Sequence, residues 1–344
     1  MRPSYHPRLV NNPFEDAGLF VSFLLDNRAI LFDLGDIHSL SPRDILKITH
    51  VFVSHTHMDH FIGFDHLIRF FLGREKELHL FGPSGFLKNV EGKLAGYTWN
   101  LVNSYTYRFA LKVTEVDSGV MRTKRYQCQN RFQPDEPAME RPFNGTLLSE
   151  PAFSIISAVF DHKVDSLGFS LSERFHINIL KAGLDRLKLP VGPWLKKLKE
   201  NLYAGLDPGS PFEIPSGEDG GGMRRFKLKE LADQVALITP GQKITYIADA
   251  AGNSSNLIKM IDLASRSHHL FIETHFLEQD RPLADETHHL TAHMAGSVAR
   301  EAGVRQCTPF HFSPRYTGSG HLLVQEVADA AGPDIAVNSW SAAF

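Results

Sequence analysis

Apolar and polar residues alternate along the chain in short bursts. Runs rich in Val, Ile and Phe fall at 19–25, 29–33, 49–55, 77–81, 153–162, 243–249, 269–274 and 308–311, most of them ending in Gly, Pro, Asp or His. That is the pattern of short strands closed by turn residues. Between several of them, at 61–72, 256–264 and 291–302, apolar residues recur at three- and four-residue spacing, which predicts helices. Strands alternating with helices pack as sheets covered by helices on the outside, an α/β arrangement.

Two stretches break the rhythm. Residues 122–150 are polar and contain Pro134, Pro137 and Pro142, which predicts a loop excursion. Residues 205–222 carry several Pro and the run Gly220-Gly221-Gly222, which predicts a mobile segment. No internal repeat is evident, and 1–344 reads as a single domain.

With 344 residues, 42% hydrophobic and 22% charged, the chain can bury a large core. It has no apolar run of the roughly 18 residues that a membrane span needs. Its start is not expected to act as a secretory signal, because Pro7, Asn11, Pro13, Glu15 and Asp16 interrupt any apolar stretch. Cys128 and Cys307, far apart, give no disulfide framework. A cytoplasmic location, away from membranes, is therefore expected. The net charge of −3 offers no overall attraction to nucleic acid, so such a partner would need a local basic patch.

The chemistry concentrates at Ser54-His55-Thr56-His57-Met58-Asp59-His60, where a strand runs into a helix. Residues two apart at a strand end point the same way, so His55 and His57 can converge on one ion. The turn into the helix then aims Asp59 and His60 at a neighbouring position. A single His here is more often an ordinary surface or core residue; three His and one Asp at this spacing are not. Imidazole with carboxylate suits zinc first, with manganese or iron as alternatives.

This H-x-H-x-D-H string resembles the signature of the metallo-β-lactamase superfamily. The resemblance implies an αββα sandwich of two mixed sheets with outer helices, and two metal ions per chain at one edge. It further implies that His162, in Phe160-Asp161-His162, joins His55 and His57 on the first metal. Asp249, in Ile247-Ala248-Asp249, would bridge both ions, and His311, in Pro309-Phe310-His311-Phe312-Ser313, would join Asp59 and His60 on the second. Asp33, in Phe32-Asp33-Leu34-Gly35, matches a strand-end Asp common in the superfamily and reads as a support for a ligand or as a turn residue.

Within that superfamily the chain resembles ribonuclease Z. Phe271-Ile272-Glu273-Thr274-His275-Phe276 is similar to its His-Glu-Ala-Thr motif, with Glu273 in the Glu position; Thr274 and His275 depart from it. His288-His289-Leu290-Thr291-Ala292 is similar to its His-Ser-Thr motif, with His289 in the His position, and Phe310-His311-Phe312-Ser313-Pro314-Arg315-Tyr316 nearly repeats its C-terminal string. His288 and His275 read as bystanders. The resemblance implies an endonuclease acting on precursor tRNA 3′ ends, in which metal-activated hydroxide attacks phosphorus. Asp59 would orient that hydroxide or take its proton, and His289 with Glu273 would protonate the departing ribose oxygen.

Ribonuclease Z also carries an inserted Gly-Pro arm that grips tRNA. Residues 181–226 contain Gly192-Pro193 and, over 181–199, six cations against Asp185 alone. Lys188, Lys196, Lys197 and Lys199 are the candidate phosphate-binding residues. An amphipathic helix with merely solvated lysines is the plainer reading. A homodimer is implied by the resemblance alone, since there the partner's arm holds the tRNA.

Three features depart from ribonuclease Z. The early loop reads Asn11-Asn12-Pro13-Phe14-Glu15-Asp16, acidic where that family is basic; Ala250-Ala251 stands where a Thr usually follows the Asp; and 122–150 has no counterpart. They leave open a related hydrolase of a small phosphodiester, lactone or thioester. A binding protein with a dead site is disfavoured by the full ligand set.

Overall fold

The computed structural model describes residues 4–24, 26–117, 119–135, 137–215 and 222–338. Leu25, at the end of one expected strand, and 216–221 of the glycine-rich stretch lie outside the described residues.

Two large sheets face each other. In the first, eight strands lie side by side in chain order: Tyr5–Leu9, Leu19–Phe23, Ala29–Phe32, Ile48–Phe52, Lys76–Gly82, Phe109–Asp117, Val120–Gln127 and Met139–Pro142. In the second, the order is Ala336–Val337, Gln306–Phe310, His269–Glu273, Lys243–Ile247, Asp165–Glu173, Phe153–Asp161 and Thr146–Ser149. Each sheet is parallel in one stretch and antiparallel elsewhere. The parallel pairs are joined through helices such as Phe64–Phe71, Phe86–Ala95, Ser254–Ala264 and Ala292–Glu301, because a parallel return must cross over the sheet.

Strand periodicity sorts side chains to the two faces. Leu19, Val21, Ile30 and Phe32 point into the core between the sheets, where they meet Phe169, Leu171, Tyr246, Phe271 and Phe310. Their neighbours Phe20, Ala29 and Leu31 point outward under the helices, with Ile45, Phe64 and Leu67. Leu270 and Ile272 do the same on the other side, beneath Met260, Ala295 and Val298. The result is the αββα sandwich, with an extra cluster built from the inserted segment.

The excursion expected over 122–150 is corrected by the structure. Val120–Gln127 pairs antiparallel with Phe109–Asp117, and Met139–Pro142 extends the same sheet. Thr146–Ser149 then pairs with Phe153–Asp161 in the opposite sheet. The segment thus passes from the rim of one sheet to the rim of the other. It reads as loop because edge strands tolerate charge and proline; all four residues of Met139–Pro142 are exposed.

The helix expected over 61–72 is split into Met58–Phe61 and Phe64–Phe71. A Cβ on Gly63 would sit 2.2 Å from the Gly35 carbonyl oxygen, and one on Gly35 would sit 2.4 Å from that of Asp59. Only glycine permits this approach. Backbone bonds from Leu34 to His60 and from Gly63 to Leu34 then clamp the metal-motif turn onto the end of Ala29–Phe32.

The inserted segment forms the helices Lys181–Leu187 and Trp194–Tyr203 and the hairpin Pro211–Pro215 with Met223–Lys227, completed by the helix Leu228–Val235. Trp194, Leu198, Phe212, Ile214, Leu228 and Leu231 fill its own small core. The antiparallel strands His176–Ile179 and Ala236–Thr239 tie its two ends together. The module therefore runs beyond 226.

Candidate metal centre

The ends of both sheets' strands meet at one edge of the sandwich. The nitrogen and oxygen atoms of His55, His57, His162 and Asp249 lie within 4.8 Å of one another, as do those of Asp59, His60 and His311. Asp249 stands between the two groups. Its Oδ2 is 3.8 Å from His55 Nε2 and 3.6 Å from His162 Nε2, while its Oδ1 is 3.4 Å from His60 Nε2 and 3.0 Å from His311 Nδ1. One carboxylate thus presents one oxygen to each group.

The donors fit divalent cations. His55 Nε2, His60 Nε2, His311 Nδ1 and Asp249 Oδ1 are buried without a hydrogen-bond partner. Such orphaned atoms are costly unless something binds them. Burial, with His60 alongside, pushes the His55 pKa down to about 2, so its ring stays neutral with a lone pair to offer. The first group supplies three imidazoles and a carboxylate, the second two imidazoles and two carboxylates, counting Asp249 in both.

The far nitrogens are fixed by the fold. His60 Nδ1 donates to Asp33 Oδ2 at 2.8 Å, and His162 Nδ1 donates to the His288 carbonyl at 2.7 Å. Each bond sets the tautomer that turns the other nitrogen into the site. Asp33 is fully buried and also accepts from Ser54 N at 2.6 Å, Ser54 Oγ at 2.9 Å and Tyr246 OH at 2.8 Å. It both orients the His60 ring and, at φ +59°, is a turn residue. Tyr246 and the His288 carbonyl escaped the sequence reading because their partners lie far away along the chain.

Glu273 and His289 come together beside the candidate metal groups, with His289 Nδ1 donating to Glu273 Oε1. Glu273 is fully buried, and its other oxygen accepts from Ala250 N at 3.2 Å, so the backbone after Asp249 is held even with alanine there. Burial opposes charge on both. It is outweighed by their mutual attraction, which holds the Glu273 pKa down to about 2 and raises that of His289. His275, read as a bystander, instead lines the cleft and belongs to a third close group with Glu273, His289 and His311. Burial, with His289 nearby, lowers its pKa to about 4.

A cleft of about 230 Å³ opens onto His57, Asp59, Asp249, His289 and His311, and Phe14, Glu15 and Asp16 of the acidic loop form part of its wall. Ribonuclease Z of Deinococcus radiodurans is 29% identical to this chain over 309 residues, 88% of each protein. Ribonuclease Z of Bacillus subtilis is 26% identical over 319 residues, 90% of this chain and 86% of the relative. The crystal structure of the metallo-β-lactamase fold protein YhfI from Bacillus subtilis covers 97% of both chains with a TM-score of 0.52 at 15% identity. The chain is similar to ribonuclease Z and has the metallo-β-lactamase fold, with side chains gathered where metal ions could be held. No family model matches it. No described helix of this ribonuclease Z-like chain is long and apolar enough to cross a membrane.

The four lysines of the inserted module differ from one another. Lys188 and Lys197 are exposed. Lys196 is exposed but paired with Asp26, 2.9 Å away in the turn between Leu19–Phe23 and Ala29–Phe32. Lys199 is half-buried, and that burial lowers its pKa. Two of the four are thus engaged with the body of the protein.

Proposed function

We propose that the chain is a binuclear zinc-dependent phosphodiesterase cleaving the 3′ ends of precursor tRNA. His55, His57 and His162 would hold one ion, Asp59, His60 and His311 the other, and Asp249 both. When bound, such a pair lowers the pKa of water and takes up charge on the phosphate oxygens. Zinc suits the mixed imidazole and carboxylate donors, with manganese or iron as alternatives.

The observation that carries this reading is the pairing of His289 with the fully buried Glu273 beside the candidate metal groups. Breaking a phosphodiester releases a ribose alkoxide, a poor leaving group that needs a proton as its bond to phosphorus breaks. A histidine held protonated by a carboxylate supplies one near neutral pH, worth roughly 10²–10⁴ in rate. Asp59, partly exposed to the cleft, is positioned to orient the attacking water. Lys188 and Lys197, both exposed, are cations with which the module would meet RNA phosphates. The reading includes a cytoplasmic homodimer, in which one protomer's module holds the tRNA cut by its partner.

A second reading, a related hydrolase of a small phosphodiester, lactone or thioester, is favoured by the acidic wall at Glu15 and Asp16 and by the pairing of Lys196. Turnover of a 3′-extended precursor tRNA, bis(p-nitrophenyl) phosphate and a lactone by the metal-loaded protein separates the two. The tRNA reading expects precise trimming of the precursor, and a His289→Ala loss of about 10²–10⁴ on it with the metals retained. Efficient lactone turnover with the precursor untouched would refute it.

A further inference from the structure

His275 departs from the ribonuclease Z motif, and its surroundings give it a task. Its ring lies flat against that of His289, with centroids 4.0 Å apart and planes 12° from parallel. Its Nδ1 donates to the His311 carbonyl at 2.9 Å, and its own carbonyl accepts from Ser313 N at 3.1 Å. One residue thus links the turn carrying a metal ligand to the face of the proton-donor ring. Phe276 braces it from the side, its ring 4.7 Å from that of His275 at 69°.

His289 needs such a brace. Among the described residues its side chain makes one hydrogen bond, Nδ1 to Glu273, which fixes a single point about which the imidazole could still pivot. A pivot would carry Nε2, the atom left to deliver a proton, away from the departing oxygen. His162 touches His289 only at an angle, with centroids 5.0 Å apart and planes at 63°, which leaves His275 as the broad face that blocks the rotation. Flat aromatic contact has this geometric effect beyond the area it buries.

We propose that His275 is a positioning residue that fixes the orientation of the His289 imidazole by stacking on it. The inference rests on the reading of His289 as proton donor. A misplacement of about 1 Å in a reacting group can cost about 10²-fold in rate. The effect must be confined to substrates whose leaving group needs a proton. A ribose alkoxide does; p-nitrophenolate does not.

The test compares kcat on precursor tRNA and on bis(p-nitrophenyl) phosphate for wild type, His275→Ala, His275→Phe, His275→Asn and His289→Ala, with metal content measured on each. The expected result is that His275→Ala lowers tRNA cleavage about 10–100-fold, far more than it lowers the nitrophenyl reaction, at unchanged metal content. His275→Phe, which keeps a flat ring and loses the Nδ1 donor, should recover most of the loss. His275→Asn, which keeps a donor and loses the ring, should not. Rescue by asparagine alone, or an equal fall on both substrates together with lost metal, would make His275 a prop for His311 and overturn the proposal. If His289→Ala itself fails to discriminate the two substrates, the proton-donor reading fails and this one with it. If His289→Ala discriminates and His275→Ala does not, only the stacking role is refuted.

Discussion

Asp33→Asn changes one buried atom and should weaken both the fold and the metal centre. The Asp33 carboxylate accepts four hydrogen bonds, one at Oδ1 from Ser54 N and three at Oδ2 from Ser54 Oγ, His60 Nδ1 and Tyr246 OH. An amide must place its NH₂ at one of those positions. The cheaper choice is Oδ1, where it confronts the Ser54 N–H and leaves two donors face to face, at about 1–3 kcal/mol. The other three bonds pass from a charged acceptor, about 1.5–3 kcal/mol each, to a neutral one, about 0.5–1.5. The total is roughly 5 kcal/mol, a large fraction of the roughly 5–15 kcal/mol that holds a typical domain. Because His60 also loses its anionic partner, metal affinity should fall about 10–100-fold. Denaturant unfolding in chelator measures the first effect, and zinc titration of the refolded protein the second. A variant with wild-type stability in chelator and unchanged zinc affinity would show that the Asp33 network supports neither.

Gly63→Ala forces a Cβ to 2.2 Å from the Gly35 carbonyl, and its two nearest neighbours, the carbonyl oxygens of Gly35 and Leu34, are backbone. The turn carrying Asp59 and His60 must shift, so metal content should fall, read by elemental analysis of the folded protein. His79 and His50 are held neutral, by burial first and then by nearby positive groups, with pKa values lowered to about 2 and about 4. Above pH 6.5 neither state binds these protons. As the pH falls from about 6.5 towards 4 the unfolded chain takes them up and the folded one does not, so stability drops. Between pH 7 and 5 wild type should therefore lose about 1–2 kcal/mol more than His79→Leu, measured by urea unfolding at each pH. Glu173 accepts from Ser4 Oγ at 2.6 Å and from Gln242 N at 2.9 Å, with Tyr203 OH at 3.4 Å tying in the inserted module. Glu173→Ala should speed hydrogen exchange in Trp194–Tyr203 while sparing the central strands.

What the sequence by itself determined was local chemistry and local period. The strand at 29–33 and the convergence of His55 and His57, with Asp59 and His60 in the turn that follows, could be read from near neighbours, whereas His162, Asp249 and His311 came from the resemblance to a known family. Tertiary structure alone decided the partners. Asp33 meets Tyr246 across more than two hundred residues, Lys196 pairs with Asp26, and parts of 122–150 become strands because sheet edges lie there to receive them. His275 looked idle in one dimension and lies against His289 in three. The physical reason is the same throughout: periodicity records which face of its own element a side chain occupies, whereas hydrogen bonds, ion pairs and stacking depend on which distant face the packing of the two sheets brings opposite.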